Sequence, residues 1–275
     1  MKLLSFHFYL LLTPCSLLLL LASNHPYPQS WNDLQNNEDW ELIKEMDRVK
    51  IFGKQLEDSP LPSYKAEIIS DVEMYLMADA AWLVENSTEI FPNAFIIDAG
   101  IYHRRSDTSY TAFQVFDIPF LSPRLYQFDS IRHGNSIHWV RTDTVSAGHN
   151  PENFLLPPVN FGSWEVEQAG NQSKLTYRVC TDPGGNVPLW IVEQANQRYL
   201  PQMMLDIESF ARENFFVEAK ELFDKGKYEE SKFLFQRNIV FNPKDAKSYL
   251  YLAKIYETEE DEKEKEKNIN TTLLL

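Results

Sequence analysis

The spacing of apolar and polar positions divides the chain into a helical opening, a long region with a period of two and a helical end. Apolar residues recur at helical spacing over residues 38–46 and again over residues 72–85. Between residues 95 and 181 the period changes to two, which is typical of strands. The predicted strands cover residues 49–56, 64–69, 95–104, 110–118, 127–131, 136–142, 162–168 and 174–180.

The links between the later strands are short, and none has the pattern of a crossover helix, so antiparallel pairing is predicted. A long helix follows from Val187 to about Asn214, with a broad apolar stripe along it. Pro201 lies inside this helix and is expected to bend or interrupt it. Because one face of the sheet must be buried and this helix is the available partner, the sequence predicts an α+β fold.

The first 23 residues have the composition of an export signal. Lys2 supplies a positive charge, a mostly apolar stretch follows, and Ala22 and Ser23 are the small residues that precede a cleavage site. We expect removal of residues 1–23, a polar linker over residues 24–38 and an exported protein, either periplasmic or secreted. The alternative is an uncleaved membrane anchor formed by residues 3–22, since about 20 apolar residues just span a bilayer.

The charge balance changes the range of possible partners. The 275 residues include 40 Asp and Glu against 26 Lys and Arg, which gives a net charge of −14. This argues against nucleic acid, because affinity for phosphate backbones comes from clustered Lys and Arg. The same balance disfavours tight docking on anionic lipid but leaves a transient membrane contact open. Cleavage after residue 23 would leave Cys180 as the single cysteine, so no intramolecular disulfide is expected.

Three segments carry a resemblance to a known family. Residues 177–192 (YRVCTDPGGNVPLWIV) read as a strand, a Gly-Gly turn and a helix start at Pro188. With residues 40–45 (WELIKE) and 118–126 (IPFLSPRLY), this segment resembles the START domain, the steroidogenic-acute-regulatory-related lipid-transfer family. The resemblance covers residues 39–214. It implies a helix-grip fold, in which a curved antiparallel sheet wraps around a long C-terminal helix and holds a hydrophobic lipid.

The candidate ligand-binding residues follow from this fold together with the alternation along the strands. The apolar candidates are Phe95, Ile97, Phe113, Val115, Trp139, Tyr177, Val179, Met203, Met204 and Ile207. Alternation does not fix which face of a strand points inward, so the alternative for each residue is a place in a solid core. Asp98, Arg104 and Arg124 are candidates for a polar contact with a lipid head group, although a surface ion pair is the commoner role.

A second resemblance lies after residue 214. The small, aromatic and Pro positions from Gly226 to Pro243 fall as in a 34-residue tetratricopeptide repeat, and Phe215 recurs at the same period as Tyr249. We expect tetratricopeptide-like helices over residues 215–256, too few for an independent solenoid. They would stabilise the preceding domain or bind a protein partner. A charged, solvated tail is expected over residues 257–275.

No motif for an enzyme appears in the sequence. It contains no G-x-S-x-G, H-E-x-x-H, glycine-rich phosphate loop or C-x-x-C, and its histidines lack metal-ligand spacing. No catalytic residue, metal or cofactor is expected. The leading hypothesis is an exported, non-enzymatic protein that binds, and in one version transfers, a hydrophobic or amphipathic lipid. The alternatives are an interaction protein with a filled START-like core and a cyclase- or hydrolase-like enzyme of the helix-grip superfamily.

Overall fold

The computed structural model describes residues 31–275 apart from residues 58, 60, 120, 144–150 and 242. The expected export signal and residues 24–30 of the linker lie outside this range. Within it, one antiparallel sheet curves around a long helix, in the strand order β1-β2-β3-β9-β8-β7-β6-β5-β4. The strands are β1 (Glu41–Met46), β2 (Val49–Lys54), β3 (Ser63–Ser70), β4 (Ile96–Ser106), β5 (Ser109–Phe116), β6 (Arg124–His133), β7 (Ser136–Arg141), β8 (Val159–Ala169) and β9 (Gln172–Asp182). The predicted α+β helix-grip architecture is therefore confirmed.

The helices lie before, within and after the sheet region. They are α1 (Trp31–Gln35), α2 (Met74–Trp82), α3 (Ser87–Ile90), α4 (Leu189–Asp224), α5 (Tyr228–Phe241), α6 (Ala246–Thr258) and α7 (Glu262–Leu274). The main apolar core joins the inner face of the sheet to α2 and α4, and it continues into α5 and α6. No helix among the described residues is both long enough and apolar enough to cross a bilayer.

The first predicted helix is wrong, because residues Glu41–Met46 form strand β1. A turn with Asp47 at a φ of 54° reverses the chain directly after this segment. The backbone groups of β1 then pair with β2, from Glu41 opposite Gly53 to Met46 opposite Val49. The pattern of apolar residues was too short to separate a helix from an edge strand, and the pairing with β2 decided the outcome.

Helix α4 spans 36 residues and ends at Asp224, ten residues beyond the predicted end near Asn214. No helix-breaking residue stands near 214, whereas Gly226 adopts a φ of 74° and its N–H donates to the carbonyl of Phe223. This left-handed glycine ends the helix. Pro201 lies inside α4 without ending it. The continuous helix therefore links the sheet region to the helices that follow.

Helix α5 packs against α4, α6 packs against α5, and α7 packs against α6. Ser231 and Asn238 stand at positions where a tetratricopeptide repeat usually has Ala. Both side chains are buried and hydrogen-bonded. Ser231 Oγ donates to the carbonyl of Ala219 at 2.7 Å, which joins α5 to α4. Asn238 Nδ2 donates to Asp245 Oδ2 at 2.6 Å and to Ser248 Oγ at 2.7 Å, which joins α5 to the start of α6.

A buried carboxylate fixes the second half of α4 to the sheet. Glu208 is 3% exposed and accepts hydrogen bonds from Arg48 in the β1–β2 turn, Ser70 at the end of β3 and Arg212 one turn along α4. Burial alone would raise the pKa of Glu208. The hydrogen bonds from Arg48 and Ser70, with the charge of Arg212, outweigh burial and hold the pKa below its usual range.

The change Glu208→Ala is expected to lower the free energy of unfolding by about 3 kcal/mol, since it leaves two arginines without their shared partner. Because the folded pKa is depressed, this stabilisation is complete above the unfolded pKa of about 4.3 and is lost as the pH falls through the folded pKa. Urea denaturation at neutral and at acidic pH measures both effects. The control is Glu213→Ala, an exposed acid of the same helix. Equal losses for the two variants at neutral pH would contradict the prediction.

Candidate ligand cavity

A cavity of about 290 Å³ lies between the curved sheet, α2, α3 and the first part of α4. Its wall is mostly apolar. The helix contributes Ile191, Val192, Ala195, Asn196, Tyr199, Leu200 and Met203, and the α2–α3 region contributes Ala80, Ala81, Leu83, Val84, Ser87, Ile90 and Phe91. The size is at the lower end of the range for sites that enclose a small organic ligand.

The sheet wall consists of alternate residues on neighbouring strands, as the pleat requires. In β5 and β6 the even-numbered positions face the cavity. Across β8 and β9, the register pairs Trp164 with Tyr177 and Asn160 with Thr181, so these four side chains share the inner face. The inward residues of the sheet are Ile96, Tyr110, Gln114, Phe116, Arg124, Tyr126, Phe128, Ser130, Ile137, Trp139, Asn160, Trp164, Tyr177, Val179 and Thr181.

Six of the candidate residues line this cavity: Phe95, Trp139, Tyr177, Val179, Met203 and Arg124. The aromatic members form contacts that shape the wall. Trp139 stacks on Tyr177 with ring centroids 5.6 Å apart, and Trp164 lies 4.3 Å from the same ring. Phe95, held at a φ of 59°, meets Tyr199 of α4 edge to face at 5.6 Å.

The other apolar candidates lie outside the cavity. They were chosen from the alternation along the strands, which does not identify the inner face. In β4, Ile96 points inward, which leaves Ile97 60% exposed on the other side. Phe113 and Val115 alternate with inward residues of β5, and Phe113 stacks on Tyr102 instead. Met204 and Ile207 are fully buried, but they belong to the face of α4 that packs in the main core.

Two of the three polar candidates also lie elsewhere. Asp98 is exposed on β4, next to a register shift between Ile96 and Asp98. Arg104 forms an ion pair with Glu85 at 3.2 Å near the surface, and its guanidinium lies 5.5 Å from the centre of the Tyr110 ring. Arg124 alone of the three faces the cavity, where it is 2% exposed.

Several lining residues were not predicted from the sequence, including Tyr110, Gln114, Tyr126, Asn160 and Trp164. A signal for some of them was present. Once Tyr177 and Val179 are placed inward, the register of a β8–β9 hairpin places their partners on the same face. Tyr126 likewise follows Arg124 by two positions. The α2–α3 contribution had no such signal, because its packing over the sheet depends on long-range contacts.

Gly162 provides the space in which the Trp139 ring lies. A Cβ atom at this position would come 2.4 Å from the indole and 2.2 Å from the carbonyl oxygen of Arg178. Both distances are below any real van der Waals contact. The absence of a side chain at Gly162 is therefore required for the aromatic wall of the cavity.

Three tyrosines of the cavity wall, Tyr110, Tyr126 and Tyr177, remain protonated over the physiological pH range. Burial raises the pKa of Tyr110, Tyr126 and Tyr177. Tyr110 Oη donates to the carbonyl of Trp82 at 3.1 Å, which ties β5 to α2. Among the described lining residues no carboxylate or histidine is present. The arrangement is suited to enclosing an apolar group and offers hydrogen-bond donors to a polar end.

Comparisons with known proteins show which solved structures have a similar fold. A scan against protein-family models and a search of curated protein sequences gave no match. Among solved structures, a STAR-related lipid transfer protein fragment from Xanthomonas axonopodis aligns with a TM-score of 0.55 at 17% identity, over 63% of this chain and 98% of its own. Human STARD10 aligns with a TM-score of 0.56 at 16% identity, over 66% of this chain and 76% of its own. These likenesses show a START-like helix-grip fold.

A weaker likeness is to the Zhui aromatase/cyclase from a Streptomyces strain. Its TM-score is 0.39 at 10% identity, over 54% of this chain and 90% of the cyclase chain. At this level the comparison carries no argument for or against an enzymatic activity.

Proposed function

We propose that the protein binds one hydrophobic or amphipathic lipid in the cavity and does so without catalysing a reaction. The observation that carries the proposal is the largely apolar cavity between the sheet and α4, with aromatic rings on its wall. Burial of apolar ligand surface supplies the driving force, at roughly 25 cal/mol per Å². The shared fold with STAR-related lipid transfer proteins supports the same class of ligand.

The test is to extract the purified protein with organic solvent and to identify any co-purified lipid by mass spectrometry. Stripped protein is then refilled with candidate lipids and sterols, and its melting temperature is measured. We expect a co-purified lipid and a rise in melting temperature with the lipid that was found. A bare protein whose melting temperature no lipid or sterol raises would contradict the proposal.

The absence of catalysis is part of the proposal. A cyclase- or hydrolase-like activity is most often carried by a carboxylate, histidine, lysine or cysteine at the ligand, and the described residues that line the cavity include none of these. Recovery of the bound lipid in unaltered form after long incubation supports binding alone. Steady conversion of the lipid to a product would favour the enzyme instead.

The setting of this activity is also proposed. Residues 1–23 would direct export and be removed, so the protein would act in the periplasm or outside the cell; the alternative is retention by residues 3–22 as an anchor. Transfer of the lipid between membranes would require a transient membrane contact. The mass of the protein recovered from its native compartment tests cleavage, and exchange of labelled lipid between vesicles tests transfer.

A protein contact through the helices after residue 214 is a second proposal. Phe233 of α5 and Leu250 of α6 remain 58% and 42% exposed. Together with the resemblance to a tetratricopeptide repeat, these side chains favour a partner that packs on this helical pair. Crosslinking in the native compartment, with Phe233→Glu as the variant, tests it: loss of a crosslinked species supports the proposal, and an unchanged pattern contradicts it.

A further inference from the structure

One charged side chain faces the cavity without a counter-ion. Among the described residues that line it, Arg124 alone carries a charge at neutral pH, and it is 2% exposed. No carboxylate of a described residue forms an ion pair with it. All of its hydrogen-bond partners among these residues are backbone carbonyls.

The geometry of these bonds leaves part of the guanidinium unused. Arg124 Nε donates to the carbonyl of Pro183 at 3.1 Å, Nη1 donates to Ser122 at 2.5 Å, and Nη2 lies 3.5 Å from the carbonyl of Gly184. A guanidinium has five N–H groups, so two remain for another acceptor. Asp182 lies in the same turn, but its carboxylate accepts from the backbone N–H of Gly184 at 2.8 Å.

Polar neighbours of Arg124 form a patch on the cavity wall, which we define as Arg124, Tyr126, Asn160 and Thr181. Arg124 and Tyr126 share one face of β6, and Asn160 pairs with Thr181 where β8 begins and β9 ends. Asn160 Oδ1 accepts from Trp139 Nε1 at 3.4 Å, which leaves its amide N–H groups unused by the described residues. The α2–α3 region of the wall is largely apolar; its polar member, Ser87, accepts a hydrogen bond from Gln114 Nε2 at 2.8 Å.

Resting on the proposed function, we propose that the bound lipid carries an anionic head group, a carboxylate or a phosphate, that accepts hydrogen bonds from Arg124. Asn160 supplies a neighbouring donor, and the tail extends among the aromatic residues towards α2 and α3. A buried cation whose only partners are carbonyl dipoles gains a full opposite charge when such a lipid enters. The planar fork of the guanidinium also matches the paired oxygens of both acids.

Three ligands with one tail and different heads test the head group on the wild-type protein: dodecanol, dodecanoate and dodecyl phosphate. Quenching or enhancement of the tryptophan fluorescence reports binding, since Trp139 and Trp164 line the cavity. We expect at least one anion to bind about tenfold more tightly than the alcohol, the ratio typical of a charge-assisted hydrogen bond. The tighter of the two anions identifies the acid.

The variant Arg124→Gln should remove most of this preference, so that the two anions bind with about the same affinity as dodecanol. The matched control is Arg104→Gln, because Arg104 carries the same charge outside the cavity. If Arg124→Gln fails to fold, the ligand series on the wild-type protein still decides. Equal or tighter binding of dodecanol overturns the head-group assignment but leaves the proposed function intact, whereas failure of all three ligands and of every extracted lipid to bind contradicts the proposed function itself.

Discussion

Replacement of Gly162 by Ala is expected to lower the free energy of unfolding by about 3 kcal/mol, which is a large effect for a substitution that adds one methyl group. The added Cβ would lie 2.2 Å from the carbonyl oxygen of Arg178 in the neighbouring strand β9. The steric clash can be relieved only by a shift of the backbone, because the clashing atom belongs to the main chain. The Trp139 ring, 2.4 Å away, must move as well, so the cavity wall should change with the fold.

The matched control is Gly53→Ala, a strand glycine whose added Cβ would lie at an ordinary 3.6 Å from the side chain of Ile43. Alanine at this position should be neutral or stabilise by up to about 1 kcal/mol, since glycine in a strand loses more conformational entropy on folding. Urea denaturation followed by tryptophan fluorescence measures both variants. Equal stability of Gly162→Ala and Gly53→Ala would show that β8 and β9 do not approach as described.

Replacement of Ala195 by Trp is expected to lower lipid affinity at least tenfold, about 1.4 kcal/mol or more, without loss of the fold. Ala195 lies on the face of α4 that lines the cavity, and an indole there would occupy space that the ligand needs. Added apolar volume inside a cavity is tolerated better than in a packed core, so the melting temperature of the stripped protein should hold or rise.

The neighbouring exposed residue Gln194 provides the control, because Gln194→Trp adds the same side chain to the outer face of the same helix turn. Binding of the co-purified lipid, or of dodecanoate in its absence, is measured by titration of each stripped variant. Unchanged affinity in both variants would contradict the assignment of the cavity as the binding site.

The strands and helices that were predicted correctly are those whose conformation is determined by the local sequence pattern. The eight strands from β2 to β9 were found from the local pattern of apolar and turn residues, and antiparallel pairing of the later strands was expected because the links between them are short. The order of the strands was not predicted, since β3 pairs with β9, which lies far along the chain. β1 was missed because its pairing partner, and not its own pattern, determines its conformation. The end of α4 was placed too early because the glycine that stops it lies beyond the region of the resemblance.

The cavity was harder to predict than the fold. Alternation divides the residues of a strand into two faces but does not say which is inside, so Phe113 and Val115 were chosen where Tyr110 and Gln114 line the wall. Arg124 was identified as one of three polar candidates, and only the tertiary structure separates it from Arg104 and Asp98. The closeness of Gly162 to Trp139 depends on the strand register, which a single sequence does not give.

Native mass spectrometry of the wild-type protein and of Ala195→Trp, purified side by side, tests the central claim most directly. If the cavity holds a lipid, the wild-type protein should appear with an added mass that gentle activation releases, and Ala195→Trp should appear mainly at the mass of its polypeptide. Wild-type protein that carries no added mass under any loading condition, or the same added mass in equal amount on both proteins, would contradict a lipid-binding cavity between the sheet and α4.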